Sequence, residues 1–309
     1  MPDWPASSKT MKTILNFGSC CIDHVYQVPY FVAAGETLPG KHYAVFPGGK
    51  GLNQSIAIAR AKGRVHHAGK IGQDGIGLRD QMLDAGVNLE QLLISETNTG
   101  HAVIQIASGG DNAIIIYGGT NREIQASETI KFFTNRAAGD LLLLQNEVSC
   151  NETAIRTAKD KGMTVSFNVA PMTQEVFDLP LDLIDYFIIN EHEGRALAAT
   201  DNLEDVPNRL IEQYPHCRVL LTLGEHGSWY KDATTEIKQA AFNVEMVDST
   251  GAGDTFTGYF FAALQAGAST QYALTRASAA AALSVTQPGA ATSIPFAEQV
   301  DDFLQNRQA

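Results

Sequence analysis

The chain has 309 residues, 44% hydrophobic and 18% charged, with a formal net charge of −12. That length suits one large α/β domain with an appendage, and the acidic balance excludes a general nucleic-acid or anionic-membrane binder while leaving room for a small anionic ligand. Four cysteines, Cys20, Cys21, Cys150 and Cys217, show neither a CxxC pair nor a ligand spacing with histidine, so they read as reduced thiols of a cytoplasmic protein.

Residues 1–12 are polar, and the apolar run behind them is broken by Asn16 and Gly18, so no signal peptide or membrane span is expected. Residues 13–19 predict a first strand. Asp23 and His24 follow it, at the edge where open α/β sheets bind ligands; alone, Asp23 also fits a turn residue. Pro29, Gly35, Pro39 and Gly40 cut residues 25–43 into short extended pieces, a β excursion from the main domain. Residues 46–54, Phe-Pro-Gly-Gly-Lys-Gly-Leu-Asn-Gln, form a glycine-rich turn entering a helix over 52–61. Lys50 and Asn53 lie at its first turn, placed either to face a polar ligand or to act as a solvated lysine and a capping asparagine. Residues 35–42 nearly match a P-loop, but His42 stands where Ser or Thr must bind Mg²⁺ and no helix is predicted after it. No Gly-x-Gly-x-x-Gly follows a strand, so the dinucleotide fingerprint is missing.

A strand over 65–71, a turn over 72–77 and a helix over 78–85 come next. Segments 101–107 and 113–117 flank a turn at 108–112 and predict a hairpin. With the first excursion it makes a small sheet, segments 24–46 and 99–119, able to cover a site as a lid. Strands over 140–145, 164–168, 186–189 and 219–223 then alternate with helices such as 150–161 and 193–199. That alternation predicts a doubly wound, mainly parallel sheet. Glu147, Asn168, Asn190, Glu193, Thr222, Gly224 and Gly227 stand just beyond strand ends, on the edge that gathers ligands; each alone fits a cap or turn. An alanine-rich helix over 269–286 and a last helix over 296–306 close the chain. No repeat or linker interrupts it, so residues 1–309 read as one domain.

The stretch at 248–258, Asp-Ser-Thr-Gly-Ala-Gly-Asp-Thr-Phe-Thr-Gly, follows a strand-like run at 242–247 and leads into a helix over 255–266. A Gly-Ala-Gly bend before a helix leaves backbone N–H groups unpaired, and the helix dipole favours an anion there. Asp254 at the mouth of such a site reads as an N-cap or as a base that takes a proton from a hydroxyl while a phosphoryl group arrives.

Over nearly its whole length the chain resembles the ribokinase branch of the PfkB carbohydrate kinases. The stretches that carry the resemblance are Gly18-Ser19 with Asp23-His24, residues 35–37 and 48–54, Asn190 with Glu193, Thr222-Leu223-Gly224 with Gly227, and residues 248–258. The resemblance implies an ATP-dependent kinase of a sugar hydroxymethyl group. Asp254 is then the base, and the Gly251, Ala252 and Gly253 amides the anion hole. Asp23, Gly49, Lys50, Asn53 and Glu147 hold the sugar. Asn190, Thr222, Gly224, Gly227 and Ser278 serve the nucleotide, with Glu193 ordering Mg²⁺ indirectly. Asp248, Thr250, Ser284, Gln287, Gly289 and Ser293 match the positions of a monovalent cation, K⁺, and the lid implies a homodimer. One departure concerns the substrate: Cys21 stands where the family's ribose pocket has Asn. A thiol is a poor substitute for an amide that both donates and accepts, so another pentose, a ketose or a nucleoside stays open beside ribose. A protein that senses sugar or nucleotide without catalysis is the remaining alternative.

Overall fold

The computed structural model describes residues 12–109 and 111–307; the predicted polar start up to residue 11 and Gly110 of the hairpin turn lie outside the described residues. After β1 (Ile14–Phe17), buried at every position, come β2 (Cys21–Gln27), β3 (His42–Gly48) and α1 (Lys50–Arg60). β4 (Val65–Gly72), α2 (Ile76–Asp84), β5 (Asn88–Ser95), β6 (Gly100–Ile106), β7 (Asn112–Tyr117) and α3 (Ala126–Phe132) follow. The second half alternates through β8 (Leu141–Gln145), α4 (Asn151–Asp160), β9 (Thr164–Asn168), β10 (Tyr186–Asn190), α5 (Glu191–Leu197), α6 (Val206–Gln213) and β11 (Arg218–Thr222). It closes with β12 (Ser228–Lys231), β13 (Glu236–Gln239), α7 (Ala252–Gln265), α8 (Thr270–Ser284) and α9 (Ala297–Gln305).

Nine strands make one sheet in the order β13-β12-β11-β10-β9-β8-β1-β4-β5. Its neighbours run parallel except at β11–β12 and β12–β13. Long crossovers, without an α-helix only between β9 and β10, allow the parallel pairs, and short turns impose the antiparallel ones. Successive residues of a strand face opposite sides, and the two cores follow that period. Leu142 and Leu144 of β8 pack with Phe132 and Ile155, whereas Leu143 packs with Leu52, Tyr259 and Phe260. Helices therefore cover both faces, α3 to α6 on one and α1, α2, α7, α8 and α9 on the other. Among the described residues no helix is long and apolar enough to cross a membrane.

A second sheet stands apart, in the order β3-β2-β6-β7. It unites the two β excursions, and β6 with β7 forms the expected hairpin. Its strands begin at Cys21 and run to Gly48, slightly wider than 24–46. Asp23 therefore sits within β2, paired with Phe46 and Ala102, and is no turn residue. A strand, β3, follows the P-loop-like residues 35–41, in keeping with the rejection of that motif.

Three strands were absent from the expectation: β5, β12 and β13. The run at 242–247 takes no strand conformation. The sheet edge near it is occupied by β13, and Met246 and Val247 are about two-thirds exposed. The run is pinned instead to the end of α8, where the Val285 carbonyl accepts from the Val247 and Asp248 amides at 2.7 and 3.1 Å.

Candidate active site

The site is built on the N-terminus of α7. Gly251 precedes that helix with φ 76°, and a Cβ placed on it would lie 2.9 Å from the Ala290 Cβ, so both backbone and packing require glycine. The Ala252 amide donates to the Ser249 carbonyl at 3.2 Å and is engaged in the turn; the Gly251 and Gly253 amides have no acceptor within the described residues. Two open amides at the head of a 14-residue helix make an anion-attracting end.

Asp254, in the first turn of α7, is 7% exposed. Asn53 Nδ2 donates to its Oδ2 at 3.0 Å, and Gln54 Nε2 to its Oδ1 at 2.9 Å. Burial raises its carboxyl above the usual range despite the opposing Lys50 charge and the two amide hydrogen bonds. Lys50 is raised in turn, first by Asp254 and then by Glu147, Glu193 and Asp23, against the cost of burial. One ammonium therefore faces four carboxylates across a cleft lined by Lys50, Asn190, Glu193, Thr222, Gly253 and Asp254.

No residue of the second sheet lines that cleft, but the sheet brings a carboxylate near the same lysine. Asp23 on β2 is pushed up to about 6 by burial and then by Glu147, with Lys50 opposing. Glu147, just past β8, accepts from the Ser19 hydroxyl and from the Lys50 amide, the latter at 2.9 Å, and its Oε1 is 4.0 Å from Lys50 Nζ. Gly49 caps α1 with φ 93°, and a Cβ there would come within 3.0 Å of the Cys21 nitrogen and the Ser19 oxygen. Cys21 neighbours Asp23 and Glu147, and burial with those two charges raises its thiol well above the ordinary value.

Farther along the sheet edge, Asn190 and Glu193 form a capping box on α5: the Asn190 side chain accepts from the Glu193 amide, and Glu193 Oε2 from the Asn190 amide, both at 2.9 Å. Burial nevertheless raises the Glu193 carboxyl. Gly224 has open space around its Cα, whereas a Cβ on Gly227 would meet the Gln239 carbonyl at 2.0 Å, so Gly227 is needed by the turn into β12. Ser278 lies within α8, 6% exposed, with its hydroxyl unpartnered. Neither Gly224, Gly227 nor Ser278 lines the cleft around Asp254.

Residues 11–297 match the profile described as pfkB family carbohydrate kinase. The chain belongs to that family. It is a carbohydrate kinase, a phosphotransferase acting on a sugar hydroxyl. It is 34% identical to a ribokinase of Haemophilus influenzae over 96% of this chain and 99% of that protein, and 32% identical to a ribokinase of Bacillus subtilis over 95% and 100%. A solved Arabidopsis thaliana ribokinase complexed with ribose and ATP matches with a TM-score of 0.84 at 30% identity, covering 95% of this chain and 98% of that one.

In this kinase the residues expected to hold a cation gather only in part: Asp248 is joined to Thr250 and Gly289, whereas Gln287 and Ser293 line a separate recess with Arg60 and Phe296. Asp248 Oδ1 accepts from the Thr250 amide and hydroxyl at 2.9 and 2.6 Å, and its Oδ2 from the Gly289 amide at 2.8 Å. Burial alone would raise the Asp248 carboxyl, but those bonds outweigh it and hold it below its ordinary value. The Ser284 and Ser293 hydroxyls donate to the Ala281 and Ala290 carbonyls, at 2.9 and 3.0 Å, and the Gln287 amide to the Ser284 carbonyl at 3.3 Å. Oxygen donors prevail here, a set suited to a hard cation. Sequence patterns included Ser19 and Gln54 in the stretches that carry the resemblance without a role for either, and missed Gln145. The one available signal was adjacency: Gln54 follows Asn53 in the glycine-rich motif.

Proposed function

We propose that this carbohydrate kinase transfers the γ-phosphoryl group of ATP to the hydroxymethyl group of ribose. The observation that carries the proposal is the buried Asp254 carboxylate beside the open Gly251 and Gly253 amides, in one cleft with Lys50. As the sugar oxygen bonds to the γ-phosphorus, Asp254 accepts the hydroxyl proton and the bond to ADP breaks. The two amides and the α7 dipole stabilise the transferring group, and Lys50 adds positive charge. A carboxyl raised toward neutrality is a better match to a proton removed near pH 7 than an ordinary one.

Asp23, Glu147, Gly49 and the unpartnered, buried Asn53 Oδ1 hold sugar hydroxyls. Asn190, Thr222, Gly224, Gly227 and Ser278 serve the nucleotide. Glu193 would help to hold Mg²⁺ indirectly, and the cation would supply positive charge for a triphosphate in a cleft where one ammonium faces four carboxylates. K⁺ fits the oxygen-rich set at Asp248, Thr250, Ser284, Gln287, Gly289 and Ser293; both Asp248 oxygens are already hydrogen-bonded, so carbonyls would do most of the binding. Four free thiols are in keeping with a cytoplasmic enzyme. The lid sheet pairs two copies as a homodimer.

Cys21 favours a second reading of the substrate. Beside Asp23 and Glu147 it offers a hydroxyl only a weak partner, which suits a deoxysugar or another pentose. ADP release is measured with MgATP and K⁺ over ribose, 2-deoxyribose, other pentoses, ketoses and nucleosides, and again without K⁺. Ribose preferred at least tenfold, with a drop on K⁺ removal, is the expected result. Preference for another member assigns that substrate class, and no acceptor-dependent ADP with any of them rules out the kinase assignment.

A further inference from the structure

Asp254 ends a continuous chain of buried hydrogen bonds that the phosphoryl-transfer scheme leaves unused. Gln54 donates to the carboxylate at 2.9 Å. Gln145 Nε2 donates to Gln54 Oε1 at 2.7 Å and to Asn16 Oδ1 at 2.9 Å. Asn16 Nδ2 donates to the Gly51 carbonyl and the Ser55 hydroxyl, both at 2.7 Å. Ser55 Oγ is 2.9 Å from His67 Nδ1, whose ring places Nε2 3.4 Å from Cys20 Sγ. Gln54, Gln145, Asn16, Ser55, His67 and Cys20 are all 0% exposed. They come from α1, β8, β1, β4 and the turn after β1, so the chain ties the centre of the large sheet to the base.

Its direction is set from the carboxylate end. A carboxylate only accepts, so Gln54 turns its nitrogen to Asp254 and its oxygen to Gln145. Gln145 must then present nitrogen to Gln54, and Asn16 its oxygen to Gln145. Ser55 accepts from Asn16 and shares one proton with His67 Nδ1, carried by either partner. Burial keeps the His67 ring neutral, lowering it to about 4. An amide rotated anywhere along this path would leave buried groups facing like with like, which is costly in a water-free interior.

We propose that Gln54, itself held by Gln145, is a positioning residue that fixes the plane of the Asp254 carboxylate and favours its ionised form. The role rests on Asp254 being the base. Lys50 on α1 and Glu147 beyond β8 are the charged groups that act on this carboxylate, and the substitutions below leave both in place.

The test compares Gln54→Met, close in length but unable to donate, with Gln145→Leu, the double variant, and Ser55→Ala, which cuts the same network away from the base. Sugar kinetics are combined with a ¹³Cγ NMR titration in which Asp254 is assigned by its loss in Asp254→Asn. For Gln54→Met, kcat falls about tenfold or more while the sugar KM stays within about threefold, as a misplaced catalytic group requires. The Asp254 titration moves upward, because a hydrogen bond to the charged form is lost. Gln145→Leu lowers kcat less, and adds nothing in the Gln54→Met background. Ser55→Ala leaves the titration where it is. Unchanged kcat and titration in Gln54→Met, or an equal shift in Ser55→Ala, overturns the proposal. If Gln54→Met does not fold, Gln145→Leu reads the same carboxylate through the loosened Gln54, and an unmoved titration there overturns it too. The NMR arm needs no turnover, so a protein inactive on every sugar whose Asp254 still responds would defeat the kinase assignment alone.

Discussion

At Asp23, burial and Glu147 push the carboxyl up to about 6 from an ordinary 3.8. A carboxyl raised on folding binds its proton more tightly in the folded state. Its contribution therefore favours folding below about pH 4 and is lost as pH rises through about 6. A rise of that size corresponds to roughly 3 kcal/mol, which partial exposure reduces to about 1–2 kcal/mol. Asp23→Asn is expected to stabilise the protein by about 1–2 kcal/mol at pH 8 and by almost nothing at pH 4, as read from urea unfolding at the two values. Equal gains at both would exclude a raised Asp23. The same substitution raises the sugar KM about 10–100-fold, because a charge-assisted hydrogen bond contributes about 1.5–3 kcal/mol. Such a residue keeps a stability cost for the sake of binding. The glycine-rich stretches pointed to Lys50, Asn53 and Asp254 because glycine spacing is readable along the chain, whereas Asp23 was reached only through the family resemblance. Gln54 stands in one of those stretches beside Asn53, but neither its role nor that of Gln145 was readable. Their roles depend on β8, β1 and α1 meeting α7 in space, and nothing in a glutamine's local sequence reports that meeting.

The elements divide along the same line. Parallel strands β8 to β11 were legible because each is a short apolar run, and because β8 and β10 lead into helices, an alternation that allows few other topologies. β12 and β13 were not, since four-residue strands at a sheet edge carry only weak alternation. The run at 242–247 has a strand's composition, but it joins no strand and is held instead by the Val285 carbonyl at the end of α8. At the head of α7 the glycines have different duties, and that gives a test. Gly251 has φ 76° and its missing Cβ faces Ala290, whereas Gly253 has ordinary φ and nothing within 4 Å. Gly251→Ala is expected to lose about 1–2 kcal/mol of stability together with activity, from left-handed strain and the Ala290 contact. Gly253→Ala should melt at or above the wild-type temperature, since Ala is the better helix former. Yet its methyl group enters the cleft beside Asp254, so turnover falls about tenfold or more as the phosphoryl group loses its close approach to the amide. Thermal melts and initial rates on the two variants separate the cases; a Gly253→Ala enzyme with full activity would remove that amide from the anion hole.

For the whole molecule, the lid sheet is the part least explained by the single chain. β7 is one of its free edges, and Ile115 and Ile116 are 67% and 70% exposed. Adjacent strand residues point to opposite faces, so β7 is bare on both sides. An apolar free edge invites pairing or aggregation unless something covers it, and a second copy of the lid offers a matching surface. Cover there reaches the chemistry through the strands themselves. β2 carries Asp23, and β3 runs into Gly49 and Lys50, so a loosened lid disturbs these residues while the α5 and β11 ends of the cleft stay with the large sheet. The wild-type protein is expected to sediment as a dimer at micromolar concentration. Ile115→Lys with Ile116→Lys should shift it to monomer, raise the sugar KM about tenfold, and leave the ATP KM within about twofold. Two buried apolar side chains are together worth about 3–6 kcal/mol, enough to move a dimer of ordinary affinity into dissociation. A wild-type monomer with full activity, or a dimer that survives both lysines, would show that the lid is covered in some other way.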